Sequence, residues 1–466
     1  MDRPMEGEDA VIGLFRHGHI TGLLWICLWL LPGPAAYGAA QAAAPGDLQS
    51  LIDVTPAGGT LVIQAGEYAG GVTIDKPVKV EARGQVRITG AGPEPVLHIR
   101  ADNVHIQGIG LVQNGEDETA AVLVSGSGAR LEDLDIQTRA FGIVMRDNER
   151  SEIRRTTIRQ TGDGADQTEL SSAMVSDKRN GIDLYNSHDN LIHENDIAWM
   201  NDGIYLESSH RNVVENNRIE HSRYGVHGMY TDGTTVRGNQ GAYNITGAMV
   251  MGVKDAIVTG NTFVKQSESV NSQGLLFFDV ENSQITGNTV EGNRVGLYVE
   301  QSHRNEFRDN DVLRNFVGVQ FLESEGNRFA GNRFIGNVIE SQANDSENNS
   351  FSGNYWEAFR GLDTNGDGIS ELAYAMNPFF QRLTSATPAF QLFFQSPGML
   401  FLEGMFTAGR EDWSVDGAPV MNPEAIRSGT ESGGGTGTAS TGTLVMGILM
   451  LAVSVSTIYV MGVRRQ

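Results

Sequence analysis

His227 and Met229 stand two residues apart in the stretch GVHGMY, and Met249 and Met251 stand two apart in GAMVMG, 22 residues further on. Imidazole and thioether are soft donors, and a site made of them without thiolate suits Cu(I). The single cysteine, Cys27, lies within an N-terminal segment laid out as a secretory signal, so the exported chain would have only Met and His for a soft-metal site. A second donor set is DTNGDGISE. It offers Asp363, Asn365, Asp367, the Ile369 carbonyl and Glu371 at positions 1, 3, 5, 7 and 9, with Gly368 at position 6. This is the calcium-loop pattern, although Tyr374 occupies position 12, where a bidentate acid belongs. The loop predicts a structural calcium site; the alternative is an acidic, glycine-rich turn.

What must position the His/Met set is a repeat. Glycines fall at 181, 203, 225, 247, 274, 296 and 318, at spacings of 22, 22, 22, 27, 22 and 22, and an asparagine follows each by fourteen residues. Asn354 continues the series one coil further, with Glu340 in the glycine's place, and Gly142 and Ala120 extend it backwards across a 17-residue insertion. Such a period, with Gly/Asn punctuation and short alternating strands, predicts an all-β fold, a right-handed parallel β-helix of about 22 residues per coil. Leucine-rich repeats share the length, but their regular leucines are missing. From position 120 to 340 there are nine steps, roughly 43 Å of stack at the ordinary strand spacing. The predicted organisation is a signal peptide over 1–44, the solenoid over 45–360, and a C-terminal extension over 361–428. A Gly/Ser/Thr linker over 429–443 then leads to a charge-free stretch at 444–463, long enough to span a bilayer with Arg464 and Arg465 on the cytoplasmic side. A cleavable sorting tail has a similar layout.

The period also decides which way side chains face. Positions one and three after each glycine are uniformly apolar, as in Ile204/Leu206, Leu275/Phe277 and Val319/Phe321, and form the core set. Positions two and four are mixed, including His227/Met229 and Met249/Met251, and face outward. The four residues therefore form a square on one outer face, flanked by Tyr185, Tyr205, Leu276, Phe278 and Tyr298 as a partner-binding stripe. The rival to a metal site is a plain protein contact, since methionines adapt to many partners. Met174 lies in the first of two insertions that leave the coil at one corner. His188, His210 and His303 fit turns within SH(D/R)N motifs, and His193 and His221 read as solvated surface.

Other function classes are bounded by charge and by acid placement. A net charge of −23 excludes nucleic acid as a partner. A uronate-acting enzyme on the same fold would draw on Asp183, Glu207 and Glu300, with Arg146, Lys178 and Arg179 nearby. These acids have no base at contact spacing, and no DPHD-like motif occurs.

The coils, the Asn354-Tyr355-Trp356 that follows them, the DTNGDGI loop and the Pro/Phe/Leu-rich tail with its SP pair (Ser396-Pro397) together resemble the NosD family over about residues 50–410. The resemblance implies an exported, non-enzymatic protein that helps mature the copper–sulfur centre of nitrous oxide reductase in denitrification. It also implies copper or a sulfur species as cargo, the reductase as client, a copper chaperone as donor, and the permease and ATPase subunits of an ABC transporter as partners. The linker and terminal span depart from that family's usual form.

Overall fold

The 22-residue period is built as three short strands per coil. The computed structural model describes residues 42–43, 47–115, 118–161, 179–266, 272–346, 348–393, 396–410 and 413–427, all within one compact unit. The signal peptide up to 41, the first insertion with Met174 and Lys178, and the terminal span lie outside the described residues. Among those described, no helix is long and apolar enough to cross a membrane.

One face is a sheet of twelve parallel strands among the described residues, from Val72–Ile74 to Ile339–Asn344. The other two faces hold strands such as Leu191–His193 and Asp196–Ala198, on either side of each ladder asparagine. They merge at the start, where Lys79–Gly90 pairs with both His105–Gln107 and Gly110–Gln113. The stack is right-handed, the hand that parallel crossovers take. Registered core positions run Ile204, Val226, Ala248, Leu275, Leu297 and Val319, one per coil, and all are buried.

Each repeat glycine sits where coils approach most closely. A Cβ on Gly225 would lie 2.4 Å from the Gly247 carbonyl oxygen, and one on Gly247 would lie 2.5 Å from that of Gly274. The sheet ends with Ile339–Asn344, so no further glycine carbonyl stacks on position 340 and a glutamate is tolerated there.

Asparagines tie the corners. Asn239 donates its side-chain amide to the Val214 carbonyl at 2.9 Å and to Asn261 Oδ1 at 3.1 Å, while its own Oδ1 accepts the Asn217 backbone and side-chain amides at 3.0 Å. The predicted ladder is thus real, and two more exist. One runs through Asn305, Asn327 and Asn349, the other through Asn244, Gln266, Asn293 and Asn315. Asn239→Ala leaves buried amides and a carbonyl without partners and should cost about 2 kcal/mol. Urea unfolding at neutral pH checks this, with an exposed Asn114→Ala as the near-neutral control.

Both ends are closed. Asp47 caps the helix Leu48–Val54, whose Leu48 and Ile52 are buried. At the other end the strand Val415–Asp416 returns, and Asp416 Oδ2 accepts from the Asn354 amide at 2.9 Å and Trp356 Nε1 at 3.0 Å, which terminates the ladder. Phe334, Trp356 and Tyr374 stack across that junction.

Candidate metal centre

The twelve-stranded face carries the predicted set in register. His227 pairs with Met249 and Met229 with Met251 in the neighbouring coil, and Leu276 and Phe278 follow in the next. The three methionines are half-buried and point away from the core. His227 is deeper than an outward position implies, at 8% exposure.

Asp202 explains that depth. Its carboxylate, at 0% exposure, accepts His227 Nδ1–H at 2.9 Å and a two-pronged bond from Arg223, Nε at 2.9 Å and a terminal nitrogen at 2.8 Å. Burial alone would raise this carboxyl, but the bonds from His227 and Arg223 outweigh it and hold it below the usual carboxylate range. An ionised carboxylate only accepts, so Nδ1 carries a proton, and in the neutral form of the ring the lone pair is on Nε2. Nε2 is buried and has no hydrogen-bond partner among the described residues. The rings of Tyr205 and Tyr224 meet the imidazole edge-on, at 5.0 and 4.7 Å between centroids. A carboxylate that fixes the tautomer from behind, with the second nitrogen left open, is the usual outer support of a metal-binding histidine.

Asp202 is the residue that sequence reasoning missed. Strict alternation puts the position before the glycine on the core side. The ladder skips the glycine, pairing Asp202 with Tyr224 and then Ile204 with Val226, and the Asp202 carboxylate meets His227 on the outer side.

The other predicted residues divide. Tyr205 and Tyr298 are half-buried, and each donates its hydroxyl at 2.9 Å to the glutamate two residues on, Glu207 and Glu300; Tyr185 is 47% exposed. Asp183 is buried against Arg146 at 2.7 Å and Asn180 at 2.6 Å, and burial nonetheless pushes its carboxyl above the usual range. His188 and His210 stack at 5.2 Å, and each accepts a backbone amide of the next coil at Nδ1, as turn residues do. Two surface assignments are corrected. His221 is stacked between Trp199 and Tyr243 at 3.9 and 5.3 Å, and His193 is bonded to Glu152 at 3.0 Å.

In the 363–371 loop the acids are engaged by the loop itself. Asp363 accepts the Gly366 and Gly368 amides at 2.6 and 2.9 Å, Asn365 that of Asp367, Asp367 that of Ile369, and Glu371 that of Thr364. Among the described residues no three or more His, Cys, Asp and Glu side chains gather as a metal site.

Residues 166–361 match the family described as periplasmic copper-binding protein (NosD). Over that stretch the chain is similar to the NosD family. The NosD match contains Asp202, His227 and all three methionines of the face, and ends just before the 363–371 loop. No curated protein sequence matches the chain. Among solved structures the chain is similar to the A-module of the Azotobacter vinelandii mannuronan C-5 epimerase AlgE6, at TM-score 0.50 and 14% identity over 67% of this chain and 98% of that one. It is likewise similar to the alginate lyase AlyF-OU02 in complex with G6, at TM-score 0.51 and 11% identity over 71% and 89%. At these identities the likeness is to the β-helix fold alone.

Proposed function

We propose that the protein handles Cu(I) in the periplasm on the His227/Met229/Met249/Met251 face. In this reading it serves maturation of the copper–sulfur centre of nitrous oxide reductase, beside an ABC transporter. The observation that carries the reading is the buried, unpartnered Nε2 of His227, on a ring held by Asp202, with Met249 in register in the next coil and Met229 two residues along the strand. Copper is cargo here: the imidazole and thioethers offer soft, neutral donors that hold Cu(I) without thiolate. The NosD match supports a copper-related, periplasmic role. Docking to the transporter permease is supported by the apolar residues left exposed on the C-terminal helices, with Phe401 at 67% and Met405 at 61% exposure.

Competitive Cu(I) titration tests the site. A variant carrying His227→Ala with Met229, Met249 and Met251 each changed to Leu should lose at least about a hundredfold in affinity, a loss spread over four ligands. Equal affinity in both proteins sinks the copper reading.

One observation favours a second reading, β-elimination on a uronate polymer: the Asp202–His227 pair has the form of an oriented general base. Against it, Arg223 and Arg146 are already engaged by Asp202 and Asp183, and Glu207 and Glu300 would repel a polyanion. Release of unsaturated uronate ends by the wild-type protein, lost in His227→Ala, would promote it.

A further inference from the structure

The fourth positions after the repeat glycines form a registered column across five coils: Glu207, Met229, Met251, Phe278 and Glu300. Beside it, the second positions read Tyr205, His227, Met249, Leu276 and Tyr298 in the same register. Three coils of soft, apolar side chains are therefore bracketed at both ends by a Tyr–Glu pair. Each pair is built alike, with the tyrosine hydroxyl donating to its glutamate at 2.9 Å.

The two glutamates differ from most acids of the other faces. There Arg211 answers Asp189, Arg237 answers Glu215, Arg314 answers Glu291 and Arg333 answers Asp311, coil against coil. Glu207 and Glu300 have no cation in ion-pair contact among the described residues, yet their carboxylates are held in place by the tyrosines. Burial and the adjacent carboxylate keep both phenols protonated as donors. Fixed, half-buried anions at the two rims of an apolar strip need cations from elsewhere, and four strand spacings set them about 19 Å apart.

We infer that this column docks an extended segment of another polypeptide, with two basic side chains that reach Glu207 and Glu300 and an apolar middle that covers Met229, Met251 and Phe278. The segment would run along the solenoid axis, across the strands. The inference uses the same face as the copper reading and rests on it for its meaning, since such a partner would cover the cargo site as donor or acceptor. The anchoring acids lie outside the proposed copper ligands, so the two can fail separately.

The probe is a seven-residue peptide, Lys-Gly-Phe-Met-Phe-Gly-Lys, capped at both ends, whose six extended steps span roughly 20 Å. Binding to the full-length protein is measured by calorimetry at low and physiological salt, beside Cu(I) titration of the same preparations. Wild type should bind the peptide, more weakly as salt rises. The Glu207→Gln/Glu300→Gln protein should bind it at least tenfold more weakly while keeping wild-type Cu(I) affinity, which also shows that it is folded. A peptide with the two lysines adjacent at one end should lose as much. No peptide binding by wild type, undiminished binding by the double variant, or equal binding of the adjacent-lysine peptide would each overturn the inference. Loss of copper binding in the four-site variant bears only on the copper reading.

Discussion

Asp202→Ala is expected to lower the unfolding free energy by about 3 kcal/mol and Cu(I) affinity by roughly ten- to a hundredfold. Both effects come from one buried carboxylate with two partners. Removing it leaves Arg223 with no counter-charge in a half-buried position and His227 Nδ1 with no acceptor. The ring is then free to turn or to change tautomer, and Nε2 no longer presents its lone pair reliably. Asp202→Asn separates the two consequences. Its amide oxygen can still accept from Nδ1–H, so copper affinity should fall far less than stability does. The pH dependence follows from the depressed carboxyl. Its contribution is complete above the ordinary carboxylate range and is lost as pH falls through the lower folded value, so the acid limb of the stability profile should flatten in Asp202→Ala. Urea unfolding between pH 3 and 7, with Cu(I) titration at pH 7, reads all of this. An alanine variant as stable as wild type, with unchanged copper affinity, would remove Asp202 from the account.

Glu340→Gln should raise stability at pH 8.5 by about 3 kcal/mol and change little at pH 4.5. Burial pushes the Glu340 carboxyl up to about 7; the Ala358 amide, bonded to Oε1 at 2.7 Å, offsets part of this, and the charge of Glu357 adds to it. A raised carboxyl binds its proton more tightly in the fold. Its contribution is therefore intact below the unfolded value and is lost as pH rises towards 7. Glutamine keeps the acceptor for Ala358 and carries no charge to desolvate. Thermal unfolding at the two pH values measures the gap, and a gap of the same size at both would contradict the assignment.

Most of the fold is legible in the repeat. Glycines every 22 residues mark close coil contacts, and the uniform apolar pairs after them identify the core side. What the repeat hides has physical causes. The second and third ladders are interrupted by serine and glutamine, as in Ser283 before Asn305 and in Ser222, Asn244 and Gln266, so no single residue type repeats along their whole length. Trp199, His221 and Tyr243 are spaced by the period, yet a histidine between two aromatics reads as surface until the left-handed turn stacks the rings. Asp416 closes the ladder from 62 residues beyond Asn354, in a segment with no period to announce it. At the site, four of the residues are legible because they share an outward parity. Asp202 is not, because the ladder skips Gly203 and the alternation fails there.

X-ray absorption at the copper edge of the Cu(I)-loaded protein tests the central claim most directly. The account predicts a mixed nitrogen and sulfur shell that loses its imidazole in His227→Ala and its sulfur when Met229, Met249 and Met251 are changed to Leu. A shell of oxygen and nitrogen alone, or one unchanged in both variants, would contradict it.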